Sequence, residues 1–399
     1  DRHDIYRTAI VWDGLREPVQ VVARRVQLPV EELVLDPQGP EAVEQLVALG
    51  GGWMDLNRAP LIRVRIAADP GSSRWLALLH IHQMVRDHTT QEALLREVRA
   101  FLTGHGTSLP EPLPFRDFVA QARLGVPREE HERHFAELLG DVTESTAPFG
   151  LLNVHGDGAA AERGQIHVDQ DLADRVRAVA RGLGASAATV FHLAWARVLT
   201  AVSGRDDVVF GTVLFGRMNS GAGADRVQGP FINTLPVRVR VDATSATDAL
   251  TGIRHQLAEL LVHEHAPLAV AQRASGIESG SPLFTSLFNY RHHQLSAQEA
   301  DHGLEGISTL LIRERTNYPL MVAVDDFGTG FNLTVDAAGG IDPAMVCALL
   351  RTAAENLVAA LEAETPVPLS AVDVLDGVER GRLLEGWNDT GVSVAEVTV

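Results

Sequence analysis

Ile62, Val64 and Ile66 alternate with Arg63 and Arg65, a period of two that predicts a strand with one buried face. Turn residues follow in "ADPGSS", and the apolar run Trp75–His82 then returns. The two runs read as a hairpin whose second strand places His80 and His82 on one face. Upstream, "YRTAIVWDGLREPVQVVARR" holds β-branched runs broken by a Gly turn, which predicts two more strands. Beyond the hairpin the period changes. Leu94, Leu95, Val98, Phe101 and Leu102 form a helical stripe, and Thr89 with Glu92 has capping-box spacing, so a helix is expected to open at Thr89. The polar residues of "LLHIHQMVRDHTT" fall in the bend between strand and helix, where side chains can face a cleft.

The Pro/Gly-rich "LTGHGTSLPEPLPF" leads to two helical stretches, "RDFVAQARLG" and "REEHERHFAELLG". A second connector, "TESTAPFGLLNVHGDGAAAERG", is the predicted lobe boundary. After it the pattern restarts. Leu172, Val176, Val179 and Leu183 share a helix face, "SAATVFHLAWARVLTAVSG" reads as a buried helix, and "DDVVFGTVLFG" as a core strand. Further strands are expected in "PFINTLPVRVRV", "SPLFTSLFNYRH", "YPLMVAVDD" and "GFNLTVD", with a closing helix from about Pro343 to Glu364. This alternation predicts an α/β protein of two lobes, 1–150 and 151–368.

The 399 residues carry a net charge of −18, and all 34 basic residues are arginine. No basic run offers a phosphate-binding face, which argues against nucleic acid as a partner. The single cysteine, Cys347, cannot form an internal disulfide and reads as a small apolar helix residue. No apolar stretch reads as long enough to span a bilayer, and "DRHDIYRTAIVWDG" has no signal-peptide pattern, so a cytoplasmic protein without membrane contact is expected.

Several stretches, in order along nearly the whole chain, resemble the condensation domains of nonribosomal peptide synthetases. Arg2–Thr8 is similar to that family's Arg-His-Glu-x-Leu-Arg-Thr, and Phe115–Gln121 to its Tyr-x-Asp-Tyr region. "GTVLFGR", ending at Arg217, and "GPFINTLPVRV", from Gly229, match its Gly-Arg loop and Gly-x-Phe-Val-Asn-Thr strand. "HEHAPLA" from His263 loosely occupies the place of His-Gln-Asp-Tyr-Pro-Phe-Glu, and "PLFTSLFNY" fits Pro-Leu-Phe-x-x-x-Phe-Asn. The hallmark His-His-x-x-x-Asp-Gly aligns on His82–His88, with Gln83 at the second His and His88 at the Gly. Residues 369–399 resemble the linker toward an adenylation domain. The family's segment upstream of the Arg-His-Glu region is absent from this sequence, and lack of a first strand and helix would expose sheet edge and core.

The resemblance implies two chloramphenicol-acetyltransferase-like lobes in a V shape around a central tunnel. It implies a reaction in which a carrier-tethered amine attacks a carrier-tethered thioester. Upstream and downstream peptidyl carrier proteins and an adjacent adenylation domain are the implied partners. No cofactor is implied for the domain itself, because the substrates ride on phosphopantetheine of the carriers. The implied catalytic positions are Gln83, His82, Asp87 and His88, with Asp87 paired to Arg217 as a structural ion pair. Thr89, Asn233, Asn289 and Tyr290 are expected along the substrate channel. Gln83 departs from the family pattern: an amide orients by hydrogen bonds but accepts no proton near neutral pH. Partial or no condensation activity is therefore expected.

Two alternatives stand beside condensation. The "RDHTT" bend, "HEHAPLAVAQRASG" and "LFNYRH" resemble a branch associated with modified residues, some of whose members are linked to dehydration of tethered Ser or Thr; His88 and the nearby threonines would then carry more of the chemistry. An inactive docking scaffold for carrier proteins is the other. His80 and His82 have His-x-His spacing, but no second ligand cluster of comparable quality appears, so no metal site is expected. "NSGAGAD" lacks the Lys-Ser/Thr of a phosphate-binding loop and reads as a loop beside the cleft.

Overall fold

The computed structural model describes residues 2–156, 158, 160–216, 226–292, 306–312 and 314–389. The chain divides into two compact units: 1–125 with 215–233 and 296–313, and 126–214 with 234–295 and 314–399.

In the first unit, strands β1 (Thr8–Val11) and β2 (Val19–Val22) form an antiparallel pair. A separate three-stranded sheet joins β3 (Val30–Leu33), β4 (Ile62–Ala68) and β5 (Trp75–Ile81). The predicted hairpin is present, with Ile62 opposite Ile81 and Ala68 opposite Trp75. Helix α1 (Ala42–Leu49) packs on β5; Leu46 joins Leu35, Ala67 and Leu76 in a small core. Helices α2 (His88–Leu102) and α3 (Phe115–Leu124) complete the unit. Its main core gathers Ile5, Ile10, Met54, Leu61, Val85 and Phe115 with Val227 and Phe231, brought in from the later stretch.

The second unit is built on a six-stranded sheet in the order β6-β11-β10-β9-β7-β8. Its strands are β6 (Glu162–Val168), β7 (Asp207–Phe215), β8 (Ile232–Arg240), β9 (Ser286–His292), β10 (Leu320–Asp326) and β11 (Phe331–Ala337). Strand β9 runs parallel to β7 and β10, whereas β11 is antiparallel to β10 and β6. Around it lie α4 (Arg128–Leu139), α5 (Gln170–Gly182), α6 (Ala187–Ser203), α7 (Ala246–Val262), α8 (Leu268–Ala274) and α9 (Pro343–Glu362), with the short α10 (Gly377–Gly381) beyond. Helix α6 is buried almost all round, as its apolar sequence predicts, with Ser186 capping Thr189 N–H and Gly204 closing it at φ 68°. Helix α5 buries Leu172, Ala173, Val176 and Ala180, close to the expected face.

Four sequence expectations change. The first unit's opening segment ends at Gly125 rather than near 150, because Phe135 and Leu139 of α4 belong to the large core of the second. The expected linker from 369 opens inside that core: Leu369, Val372 and Val374 are buried there, and Leu369 N–H donates to Thr244 O. Helix α9 does reach spanning length and apolarity, 20 residues at mean hydropathy 1.5, yet Val346, Leu350, Ala353 and Leu357 are fully buried in the protein. Finally, the stripe expected to bury α2 is largely open. Val98, Phe101 and Leu102 are 39%, 58% and 67% exposed, and the residues α2 buries are Thr90 and Ala93. Spacing identifies an apolar face; it does not supply the surface that covers it.

Candidate functional site

Strand β5 ends at Ile81, and the chain leaves it through one 3₁₀ turn, Gln83–Val85, before α2 begins at His88. Val85 is fully buried and anchors the turn in the first unit's core. His82 stands at its start in extended backbone and is half-buried; its Nδ1 accepts the Met84 N–H at 3.1 Å. A backbone N–H can only donate, so neutral His82 carries its proton on Nε2. Burial holds its pKa below the ordinary imidazole value. His82 is thus a neutral donor through Nε2 and not a ready base.

Gln83 is exposed, on the outside of this turn. Asp87 is buried, and its Oδ1 accepts the Thr90 N–H at 2.7 Å while its Oδ2 lies 3.2 Å from the Phe231 amide. Asp87 rather than Thr89 therefore caps α2. Its backbone is extended and its carboxylate reaches the third amide beyond it, which leaves Thr89 already inside the helix. Arg217, its expected partner, lies outside the described residues. His88 is exposed, with Nε2 3.2 Å from Oε1 of Glu92 one turn along. Thr89 is half-buried beside it.

Thr90 is fully buried, and its hydroxyl bonds both polar groups of Gly229. Gly229 comes this close because it lacks a side chain: a Cβ there would meet the Phe115 ring at 2.2 Å. Asn233, two residues beyond Phe231 on β8, is half-buried.

Asn289 and Tyr290 lie on β9 in the second unit. Successive strand residues point to opposite faces, so the two cannot line one surface. Tyr290 packs near Phe191 of α6 and donates its hydroxyl to Asp326 Oδ2 at 2.7 Å, an Asp that Arg177 also holds. Asn289 faces the other way; it is buried, and its Oδ1 has no hydrogen-bond partner among the described residues. It is an unused acceptor for a donor N–H.

Among the described residues no group of three or more His, Cys, Asp or Glu is arranged to hold a metal ion. The contacts of Glu92, Thr90, Gly229 and Phe115 are not foreseen from the sequence. Glu92 is legible there as the i+4 neighbour of His88; the others meet across more than a hundred residues, which spacing does not encode.

The family model described as Condensation domain matches residues 1–384. Malpibaldin synthetase of Mortierella alpina is 44% identical over 395 residues, which are 98% of this chain and 7% of that protein. A linear gramicidin synthase of Brevibacillus parabrevis is 30% identical over 415 residues, 98% of this chain and 5% of that one. The chain therefore spans only a small part of these relatives. In fold it is similar to the condensation domain from the monacolin K polyketide synthase, with TM-score 0.65 and 21% identity over 90% of this chain and 85% of that one. It is likewise similar to the X-domain from teicoplanin biosynthesis, with TM-score 0.72 and 17% identity over 94% and 87% of the two chains. A four-domain nonribosomal peptide synthetase matches at TM-score 0.73 and 15% identity, over 95% of this chain and 30% of that one.

Proposed function

Because this chain belongs to the condensation-domain family, we propose that it joins a carrier-tethered donor thioester to a carrier-tethered acceptor amine, with turnover held low by Gln83. In that reaction the amine nitrogen attacks the thioester carbonyl, the C–N bond forms and the C–S bond breaks. The thiolate leaves and the amine proton must be carried away to it. Alignment and relief of the developing oxyanion are the main tasks; proton removal is the one Gln83 cannot perform. The observation that carries the reading is the bend itself. His82 and Asp87 are held by backbone N–H groups at either end, and the side chain at 83 is presented outward between them. The scaffold is kept while the proton acceptor is missing. Partners on this reading are the two carrier proteins and a following adenylation domain, in the cytoplasm, and the domain itself holds no cofactor.

The test is mass spectrometry of carrier-bound products, with this chain and with Gln83→His. Dipeptidyl carrier formed about a hundredfold faster by Gln83→His supports the reading; equal rates in the two chains overturn the role given to Gln83. A second reading, elimination of water from a carrier-bound Ser or Thr, is favoured by the His88–Glu92 pair, an imidazole held by a carboxylate at the helix start. Loss of about one water, roughly 18 Da, without any acceptor substrate would select it over condensation. Carrier binding with neither product would leave a docking scaffold.

A further inference from the structure

We propose that Thr90 is a positioning residue, a two-way hydroxyl clamp that fixes the bend carrying Gln83 against the Gly229–Asn233 segment of the same unit. What the bend does rests on the condensation reading; the clamp rests on geometry alone.

Thr90 Oγ1 donates to the carbonyl of Gly229 at 2.7 Å and accepts the amide N–H of the same residue at 3.1 Å, across 139 positions of sequence. One buried hydroxyl thereby satisfies both backbone groups of a buried glycine. Phe115 closes the other side of that glycine so tightly that no Cβ fits. Two residues on, Asp87 Oδ2 takes the Phe231 N–H, and the Phe231 carbonyl accepts from Gly216 N–H at 2.7 Å. Asp87 and Thr90 are three apart, so they sit on one side of the helix start and grip Gly229 and Phe231 together. The cap made by Asp87 Oδ1 is local to α2. The Thr90 contact is not: it sets where the helix start lies relative to Gly229 in the same unit, and Asn233 follows Phe231 by two residues. A shift of the α2 N-terminus would carry Gln83 with it, since Gln83 opens the 3₁₀ turn that leads into that helix.

Hydrogen exchange on the 399-residue chain reads the clamp without any substrate. The Gly229 amide is expected to be protected, to exchange about tenfold faster or more in Thr90→Val, and to regain protection in Thr90→Ser. The His82 ring nitrogens, followed in a long-range ¹H–¹⁵N spectrum, should move in Thr90→Val and return in Thr90→Ser, a response that loss of packing elsewhere would not give. In the Gln83→His chain, Thr90→Val should lower turnover about tenfold at an unchanged half-saturating carrier concentration, again recovered by Ser. Gly229 exchange in the unmodified chain as fast as that of an exposed loop amide overturns the clamp, even if Thr90→Val does not fold. So does a Ser variant as perturbed as Val, which would assign the role to the methyl group. A Gln83→His chain that forms no amide sinks the condensation reading, and the exchange data still decide the clamp.

Discussion

Asp87 Oδ2 lies 3.2 Å from the amide nitrogen of Phe231, 144 residues further along the chain, while Oδ1 caps α2. One carboxylate thus serves two buried N–H groups that water does not reach. Removing it takes an acceptor from both. Asp87→Ala is expected to cost about 2–4 kcal/mol, as a lost cap plus a lost amide contact. In urea the midpoint should fall with an unchanged slope. Asp87→Asn, which keeps one acceptor oxygen, should fall between the two.

His88 occupies the position where the family pattern has Gly, yet its ring is exposed and held by Glu92. On the condensation reading its imidazole is not the missing base. His88→Gly should change the rate of amide formation by less than about threefold in the Gln83→His chain, a difference too small for loss of a general base. Product analysis by mass spectrometry checks it. A fall of about a hundredfold would return the proton-transfer role to His88.

The second unit holds three imidazoles in contact. His131 Nδ1 is 2.9 Å from His263 Nδ1, and His134 stacks on His263 with ring centroids 4.1 Å apart. Burial lowers the pKa of each, and neighbouring imidazoles lower them further against the opposing pull of Glu130, Glu137 and Glu259. The unfolded chain takes up protons as pH falls through about 6.5, and the folded chain does so only at lower pH. Their contribution to stability is therefore complete above that value and lost below it, by about 1.4 kcal/mol per pH unit for each ring still neutral. Urea midpoints measured from about pH 7 to about pH 5 should drop steeply, and His134→Phe, which keeps a stacked ring, should flatten the slope by about one proton.

Cys347 is buried in α9, and burial pushes its thiol up to about 11. The folded protein should resist a disulfide reagent, and labelling should appear with unfolding, in step with loss of helical signal in urea. As the chain has one cysteine, the label reports this helix alone.

Much of this architecture is written locally. The alternation of Ile62, Val64 and Ile66 gives β4, the Pro70-Gly71 turn gives its hairpin, and Leu172 with Val176 gives the buried side of α5. Where the structure departs from expectation, the deciding contact is distant or competes with an equally good local one. Thr89 with Glu92 has the spacing of a cap, but Asp87 reaches the Thr90 amide first and starts the helix earlier. Phe101 and Leu102 repeat like core residues and are exposed, while Thr90 on the same helix is buried against Gly229. Gln83 is legible as the departure in the motif; that His82 and Asp87 are each held by backbone amides is not.

The first unit's core needs Val227 and Phe231, which the chain supplies only after the whole of 126–214. Emerging from a ribosome, residues 1–125 would wait with a gap where those two side chains belong, while helices and strands of the other body take shape. Vectorial synthesis therefore cannot finish this protein from front to back. The earlier-made part matures late, once Gly229 and its neighbours have come home.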